Sequence, residues 1–317
     1  MLNPIREKSA FEGVRESLIR LTRCPSATIA SRSTEIPTHV PLPSATVAGV
    51  LVRKMRWAMP FAELLRAARL HGVNQMASLE ELRAYYHAIL PYYDAELEDR
   101  GDLGFWKSIS RRWSSKRILE LGCGTGRVTR VLSENASTTG VDLLWEMLTR
   151  AKQHAPRARL VAADLRDCVF SSKFDLVALA DDPISHLTAS KDRLATLKQI
   201  ASHLEPEGRV VFDGLYRRPG ADGMASTRTV RPPRGAPFTL TQNWEPGSLP
   251  AIWNVKYCYR SGSATTNVAS TVRSWTLEEA EGLGEAGLKI EALWGDFDER
   301  PFSPDAPRIV IVARLDR

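Results

Sequence analysis

Short apolar runs alternate with helix-like segments over roughly residues 117–213. Each run is followed by an acid, a glycine or a turn, and the segments between most of them carry apolar residues at helical spacing. The runs are Ile118–Leu119, Gly140–Asp142, Leu160–Asp164, Phe174–Ala180 and Gly208–Asp213. Alternating strands and helices indicate an α/β fold with a doubly wound, mostly parallel sheet.

The pattern of apolar and polar residues changes after the fifth run. Apolar and polar residues alternate in Phe238–Trp244, Ile252–Tyr259 and Asn267–Trp275, and Gly, Pro and Ser separate these segments. Such alternation predicts antiparallel strands. We interpret 217–275 as an inserted antiparallel β segment beyond the carboxyl ends of the sheet, where doubly wound folds bind ligands. It either roofs an acceptor pocket as a lid or pairs two subunits in a homodimer.

Two capping-box patterns bracket the predicted core. Ser78–Glu81 has the Ser-x-x-Glu form and predicts the start of a helix that ends near Pro91. Thr276–Glu279 predicts a second helix start. Two further strands, Leu288–Trp294 and Arg308–Leu315, then complete a predicted seven-stranded sheet.

Residues 1–77 differ from the rest of the chain and are predicted to form an N-terminal extension. They contain basic and Ser/Thr-rich stretches, a proline cluster at Pro37, Pro41 and Pro43, and helical patterns only at Phe11–Leu21 and Met59–Leu70. The extension is a partly disordered arm, a targeting leader or a dimerisation element. Its acidic residues argue against a leader, because such peptides avoid acids.

The overall composition narrows the class of protein. With 317 residues, 43% of them hydrophobic, the chain is expected to form a real core. No apolar run approaches the ~18 residues that span a bilayer, and we expect a cytoplasmic protein without a membrane partner. The four cysteines form no Cys-x-x-Cys pair and the six histidines show no paired spacing, so no metal site is predicted.

The net charge of +6 raises the alternative of a nucleic-acid substrate. The arginines are spread along the chain, however, and no long basic run has interleaved aromatic residues. This distribution is more typical of a solvated surface than of a nucleic-acid groove.

The loop after the first strand carries the strongest chemical signal. Glu120–Gly126 places three glycines at alternate positions, which lets main-chain N–H groups approach a ligand closely. Asp142 follows about 20 residues later, where a carboxylate can accept the two hydroxyls of a ribose. In the Gly-x-Gly-x-x-Gly pattern of a dinucleotide site, the third glycine would lie one residue later than Gly126 does. The Glu120 carboxylate would also repel a pyrophosphate.

From about Tyr85 to the C-terminus, these ordered motifs resemble the class I S-adenosylmethionine-dependent methyltransferases. The resemblance implies a Rossmann-like methyltransferase domain over 78–317, with S-adenosylmethionine as cofactor. It also implies roles in that domain: the glycine loop holds the methionine part, Asp142 the ribose, Asp164 the adenine amino group, and Leu143 and Leu165 the ring. The predicted cofactor-binding residues are Tyr93, Glu120, Gly122, Cys123, Gly124, Gly126, Asp142, Leu143, Asp164, Leu165 and Ala180.

Two of these residues keep alternative interpretations. Cys123 occupies a variable position within the glycine loop and is interpreted as a small filler and not a nucleophile. Tyr93 lies in a segment that resembles the aromatic closure over the cofactor in many small-molecule members of the family. It either closes over the cofactor or only packs against its neighbours.

Methyl transfer is an in-line displacement, so the protein mainly has to position the acceptor. Asp181, Asp182 and His186 follow the fourth strand and are our candidate catalytic residues, with either aspartate facing the acceptor and His186 as a base. Alternatively, Asp182 caps the next helix and His186 is a packed, hydrogen-bonded residue. We predict methylation of a small-molecule acceptor, with nitrogen preferred over oxygen. The alternatives are sulfur or carbon transfer, an RNA substrate, and a non-catalytic cofactor-binding scaffold.

Overall fold

A computed structural model describes residues 76–218, 221–247, 249 and 251–316 of the chain. The predicted helices Phe11–Leu21 and Met59–Leu70 lie outside these residues, as does the proposed extension 1–77 except for its last two residues. The division between an extension and a domain that begins at residue 78 therefore stays a prediction.

The first five strands of the described chain pair in parallel, as the apolar runs predict. They are β1 (Arg117–Leu121), β2 (Ser137–Asp142), β3 (Arg159–Ala162), β4 (Phe174–Leu179) and β5 (Leu204–Gly214). In β1, every residue after Arg117 is buried. Parallel strands are covered on both faces, and for this reason they read as continuous apolar runs in the sequence.

Both faces of this sheet are covered by helices α2 (Leu103–Arg112), α3 (Arg127–Leu132), α4 (Trp145–His154) and α5 (Ser190–His203). Helix α1 (Met76–Leu97) precedes them in the chain and packs on other strands. One buried cluster joins Leu197 and Ile200 of α5 to Val177 and Phe212 of the sheet. A second cluster joins Trp106 of α2 and Leu132 of α3 to the opposite sheet face. Two cores on opposite faces define a doubly wound sheet.

Helix α1 is longer than the sequence predicts. It spans Met76–Leu97, so the predicted start at the Ser78 capping box and the predicted end near Pro91 are both wrong. A proline inside a helix removes one backbone hydrogen bond and strains the preceding turn. Packing on the far side of Pro91 offsets that cost, because the Tyr92 ring stacks on Tyr259 with centroids 4.6 Å apart.

The inserted segment forms a separate antiparallel sheet in the described residues. Its strands pair in chain order as β6 (Met224–Val230), β7 (Phe238–Pro246), β8 (Ile252–Ser261) and β9 (Ala264–Arg273). The antiparallel prediction is confirmed. Strand β6 was not predicted, because it lies at the sheet edge with all residues but Val230 exposed and therefore shows no apolar alternation.

The inner face of this second sheet packs on α1. Val230, Phe238, Leu240 and Tyr259 form one buried cluster with Ile89 of α1. Arg273, at the end of β9, donates a hydrogen bond to the carbonyl of Thr188, in the segment that connects β4 to α5. The inserted sheet thus covers the carboxyl edge of the parallel strands, whereas pairing of two subunits through it stays a prediction.

The C-terminal part closes the main sheet. Thr276 and Glu279 form the predicted capping box, with side-chain to backbone bonds of 3.1 and 3.3 Å, and α6 (Leu277–Glu281) follows. The last strands are β10 (Leu288–Trp294) and β11 (Ile309–Leu315), and β11 runs antiparallel to both β10 and β5.

Over the described residues the main-sheet order is β10-β11-β5-β4-β1-β2-β3, which confirms the predicted seven-stranded, Rossmann-like arrangement. In the same residues, no helix is long and apolar enough to cross a membrane.

Candidate active site

The glycine loop between β1 and α3 has a backbone that needs glycine. Gly122, Gly124 and Gly126 have φ values of +71°, +53° and +84°, a region that L side chains rarely adopt. A Cβ on Gly122 would lie 2.4 Å from the Pro183 Cβ, and one on Gly124 would lie 2.9 Å from the Tyr93 hydroxyl oxygen. The loop is therefore held closely between the segment after β4 and helix α1.

Asp142, at the end of β2, fixes this loop from the other side. Its carboxylate oxygens accept the Gly124 N–H at 2.8 Å and the Leu144 N–H at 2.9 Å. Burial raises the pKa of Asp142, and the backbone N–H bonds act against that rise. Each carboxylate oxygen has two acceptor sites, so Asp142 can also accept the hydroxyls of a ribose.

Glu120 and Cys123 form the buried floor of the loop. The Thr129 hydroxyl donates to the Glu120 carboxylate, and burial raises the pKa of Glu120 to about 8. Burial also raises the pKa of the Cys123 thiol, which disfavours the thiolate that a nucleophile needs. The placement of Cys123 fits the predicted role of a small filler.

The loop after β3 is organised by its own arginine. Asp164 accepts hydrogen bonds from Arg166 at 2.9 Å from Nε and 2.5 Å from Nη2. Leu165 packs against the buried cluster beneath the sheet. The predicted adenine contacts of Asp164 and Leu165 stay predictions, and the Asp164 carboxylate already has a guanidinium partner.

A cleft of about 260 Å³, part of it open to solvent, joins the glycine loop to the ends of α1 and β4. It is lined by Tyr93, Leu97, Glu120, Gly122, Cys123, Thr125, Arg127, Val128, Ala180 and Asp181. Most of these residues are predicted site residues that lie far apart in sequence, from Tyr93 to Asp181. Asp142, Leu143, Asp164 and Leu165 lie outside this lining, at the ends of β2 and β3.

The two aspartates after β4 have different surroundings, although the sequence treats them alike. Both have positive φ values, +62° for Asp181 and +50° for Asp182. Asp181 lines the cleft and pairs with Arg100 at 2.5 Å. Asp182 is buried and accepts the Leu215 N–H at 2.6 Å and the Trp275 indole N–H at 3.4 Å. Burial raises the pKa of Asp182 to about 7.

A buried ionic cluster that sequence reasoning missed holds Asp181 in place. Arg100 follows α1 and contacts the carboxylates of Asp102, Asp181 and Asp213. Arg127 follows the glycine loop and pairs with both oxygens of Asp102, at 2.6 and 2.8 Å. The cluster joins segments up to 113 residues apart, so no local sequence pattern could have indicated it.

His186 lies against tyrosines of α1. Its Nε2 is 2.8 Å from the Tyr86 hydroxyl oxygen, and burial lowers the pKa of His186 to about 4. The imidazole is therefore neutral at physiological pH. Tyr85, Tyr86, Tyr93 and Tyr257, here called the tyrosine wall, have successive ring contacts with centroids 5.0 to 6.1 Å apart.

Known proteins share both the sequence motifs and this fold. Residues 118–208 match a family model described as a methyltransferase domain. The putative methyltransferase YqeM of Bacillus subtilis (strain 168) is 35% identical over 209 residues, which covers 63% of this chain and 85% of that protein. Cypemycin N-terminal methyltransferase of a Streptomyces species is 25% identical over 221 residues, covering 65% and 86%.

A solved structure supports the same fold. The crystal structure of an S-adenosylmethionine-dependent methyltransferase from Clostridium acetobutylicum superposes with a TM-score of 0.60 at 19% identity, covering 73% of this chain and 99% of that one. The chain belongs to the class I S-adenosylmethionine-dependent methyltransferases. Its cofactor is S-adenosylmethionine.

Proposed function

We propose that the protein transfers a methyl group from S-adenosylmethionine to an amine nitrogen of a small-molecule acceptor. The observation that carries this proposal is the juxtaposition at the end of β4. A cleft-facing carboxylate, Asp181, is an electrostatic neighbour of the neutral His186 and of Tyr86 in the tyrosine wall. A carboxylate beside aromatic rings favours a nitrogen that carries positive charge before or after transfer.

The residues of the glycine loop fit the cofactor's polar groups. The glycines bring main-chain N–H groups and the buried Glu120 beside the space for the methionine part, and Asp142 supplies a ribose acceptor. Tyr93 closes the cleft from α1. Cys123 and Ala180 line it, and Leu143, Asp164 and Leu165 are proposed for the adenine end. When bound, the cofactor supplies a methyl group on a positively charged sulfur.

The tyrosine wall lies between the two ends of the site. The phenols of Tyr86 and Tyr93 each have both Asp142 and Asp181 as electrostatic neighbours, and burial raises both phenol pKa values. The wall therefore remains uncharged at physiological pH. We assign Asp181 to orienting the acceptor nitrogen, the neutral His186 to positioning the Tyr86 hydroxyl by their hydrogen bond, and Asp182 to supporting the backbone beneath them.

The lowered pKa of His186 is the physical reason for preferring nitrogen. A base with a pKa of about 4 has little driving force to deprotonate a hydroxyl. A neutral amine is already nucleophilic and needs only to be positioned about 3 Å from the methyl carbon. The relative named for N-terminal methylation of cypemycin also supports an amine acceptor.

Methyl-labelled cofactor offered to matched acceptors tests this proposal. Each amine is paired with its N-acetyl and hydroxyl counterparts, and thiols and tRNA are included. We expect label in the amines alone, and Asp181→Asn to lower kcat/KM about 10- to 100-fold through loss of a charged hydrogen-bond acceptor. The exposed Asp298→Asn serves as control. Label in hydroxyls or tRNA and not in amines would overturn the proposal, and cofactor binding without any transfer would favour a scaffold.

A further inference from the structure

Arg217 is a cation that the site described above does not use. It follows β5 by three residues and lies at the same edge of the sheet as Asp181. Its guanidinium carbon is 4.9 Å from the centre of the Trp244 ring on β7. The side chain thus lies between the main sheet and the inserted sheet, with one face covered by an indole.

Within the described part of the chain, no hydrogen-bond acceptor or ion-pair partner is found for the Arg217 guanidinium. The Arg217 Nε is buried and has no hydrogen-bond partner among the described residues. The Nε of Arg100 is likewise without a hydrogen-bond partner, but Arg100 and Arg127 both form ion pairs with carboxylates through their other nitrogens. Burying a charged donor without an acceptor costs free energy, and burial indeed lowers the pKa of Arg217. A guanidinium without an acceptor contributes little to folding and has donors left for an anionic ligand.

Tyr257 connects Arg217 to the acceptor pocket. This member of the tyrosine wall has its ring 5.7 Å from that of Tyr85, and both Asp181 and Arg217 are its electrostatic neighbours. The pocket therefore has a negative group beside the cofactor cleft and a positive group under the inserted sheet. A ligand with the complementary arrangement has an amine at one end and an anion at the other.

We propose that Arg217 binds an anionic group of the methyl acceptor, a carboxylate or a phosphate, while the acceptor nitrogen faces Asp181. A guanidinium presents a planar set of donors that matches either anion with two parallel hydrogen bonds. The indole of Trp244 holds the guanidinium plane in position by a cation–π contact. This inference rests on the proposed N-methyltransferase function, because it specifies the acceptor of that reaction.

Acceptor pairs that differ only in the anion test the inference. One arm compares an amino acid with its carboxamide, and the other compares an amino-sugar phosphate with the free amino sugar. We expect the wild-type protein to prefer the anionic member of one pair about 10- to 100-fold in kcat/KM, as one charged pair contributes. The arm that shows the preference identifies the anion. Equal rates within both pairs would overturn the inference without any variant.

Arg217→Met should remove this preference, mainly by raising KM for the anionic acceptor. Arg218→Met is the matched control, since the Arg218 side chain is 67% exposed and lies 3.7 Å from Asp305. Loss of the preference in Arg218→Met and not in Arg217→Met would contradict the assignment.

A binding measurement separates this inference from the proposed function. In protein loaded with the demethylated cofactor, the Nε–H resonance of Arg217, assigned by its loss in Arg217→Met, is followed while inorganic phosphate or acetate is added. A saturable shift that Arg218→Met retains supports the anion site, even if no amine is labelled. No shift with either anion would overturn it, even if amines are methylated.

Discussion

Replacing Asp142 with asparagine perturbs both the glycine loop and the proposed ribose site. The wild-type carboxylate accepts the Gly124 and Leu144 N–H groups at 2.8 and 2.9 Å. Asparagine offers one oxygen and one NH₂ group, so one of the two backbone donors must face another donor. The same exchange removes the charge and half of the acceptor sites that a ribose would use.

The size of the effect follows from the bonds that are lost. A hydrogen bond to a charged group contributes about 1.5 to 3 kcal/mol. We expect the loss of one such bond to the cofactor, so the Kd for the cofactor or its demethylated product should rise about 10- to 150-fold. Calorimetric titration of the purified variant with the demethylated product measures this directly.

Asp175→Asn is a matched control for the Asp142 variant. The Asp175 carboxylate also accepts two backbone N–H groups, those of Lys116 and Arg117 at 2.8 and 2.7 Å, but at a single oxygen and at the opposite edge of the sheet. The exchange removes the same charge from a carboxylate bound to backbone N–H groups and should leave the Kd unchanged. A folded Asp142→Asn protein with wild-type affinity would refute the assignment of Asp142 to the ribose.

Three further variants test other parts of the site. Burial raises the pKa of Glu120 to about 8, so this carboxyl is protonated at pH 7 in the free protein. Binding of the cofactor's ammonium group should make Glu120 release that proton. Calorimetry in buffers of different ionisation enthalpy measures the release, which should vanish in Glu120→Gln. Gly124→Ala would place a Cβ 2.9 Å from the Tyr93 hydroxyl oxygen at a φ of +53°. The variant should therefore have a lower Tm and bind the cofactor at least about 10-fold more weakly. Wild-type cofactor binding would contradict the close packing of this loop. The pKa of Asp182 rises from 3.8 unfolded to about 7 folded, so its contribution to stability is lost as pH rises through that window. The Tm of Asp182→Asn minus that of the wild type should therefore increase as the pH rises from 4 to 7. A difference that does not change with pH would argue against the burial of this acid.

The main sheet could be predicted from the sequence because buried parallel strands appear as continuous apolar runs. Strand β4 is apolar and almost wholly buried, and its predicted span, Phe174–Ala180, agrees with the observed Phe174–Leu179. The glycine loop was equally visible, because its three alternate glycines adopt positive φ values that other residues rarely adopt. Strand β10 was predicted with the observed bounds.

Features that depend on distant contacts were not visible in the sequence. The extension of α1 beyond Pro91 depends on Tyr92 packing against the inserted sheet. The difference between Asp181 and Asp182 arises because Leu215 and Trp275 approach only one of them. The partners of Arg100 and the environment of Arg217 likewise come from segments that are remote in the chain, so residue type and spacing could not identify them.

The chemical identity of the new bond tests the central claim most directly. Acceptor methylated with ¹³C-methyl-labelled cofactor is analysed by two-dimensional carbon–proton NMR, in which N-methyl and O-methyl carbons resonate at distinct shifts. We predict a single N-methyl signal that Asp181→Asn diminishes and Asp298→Asn does not. An O-methyl or S-methyl signal, or an N-methyl signal indifferent to Asp181, would contradict a site built to present an amine to the methyl group.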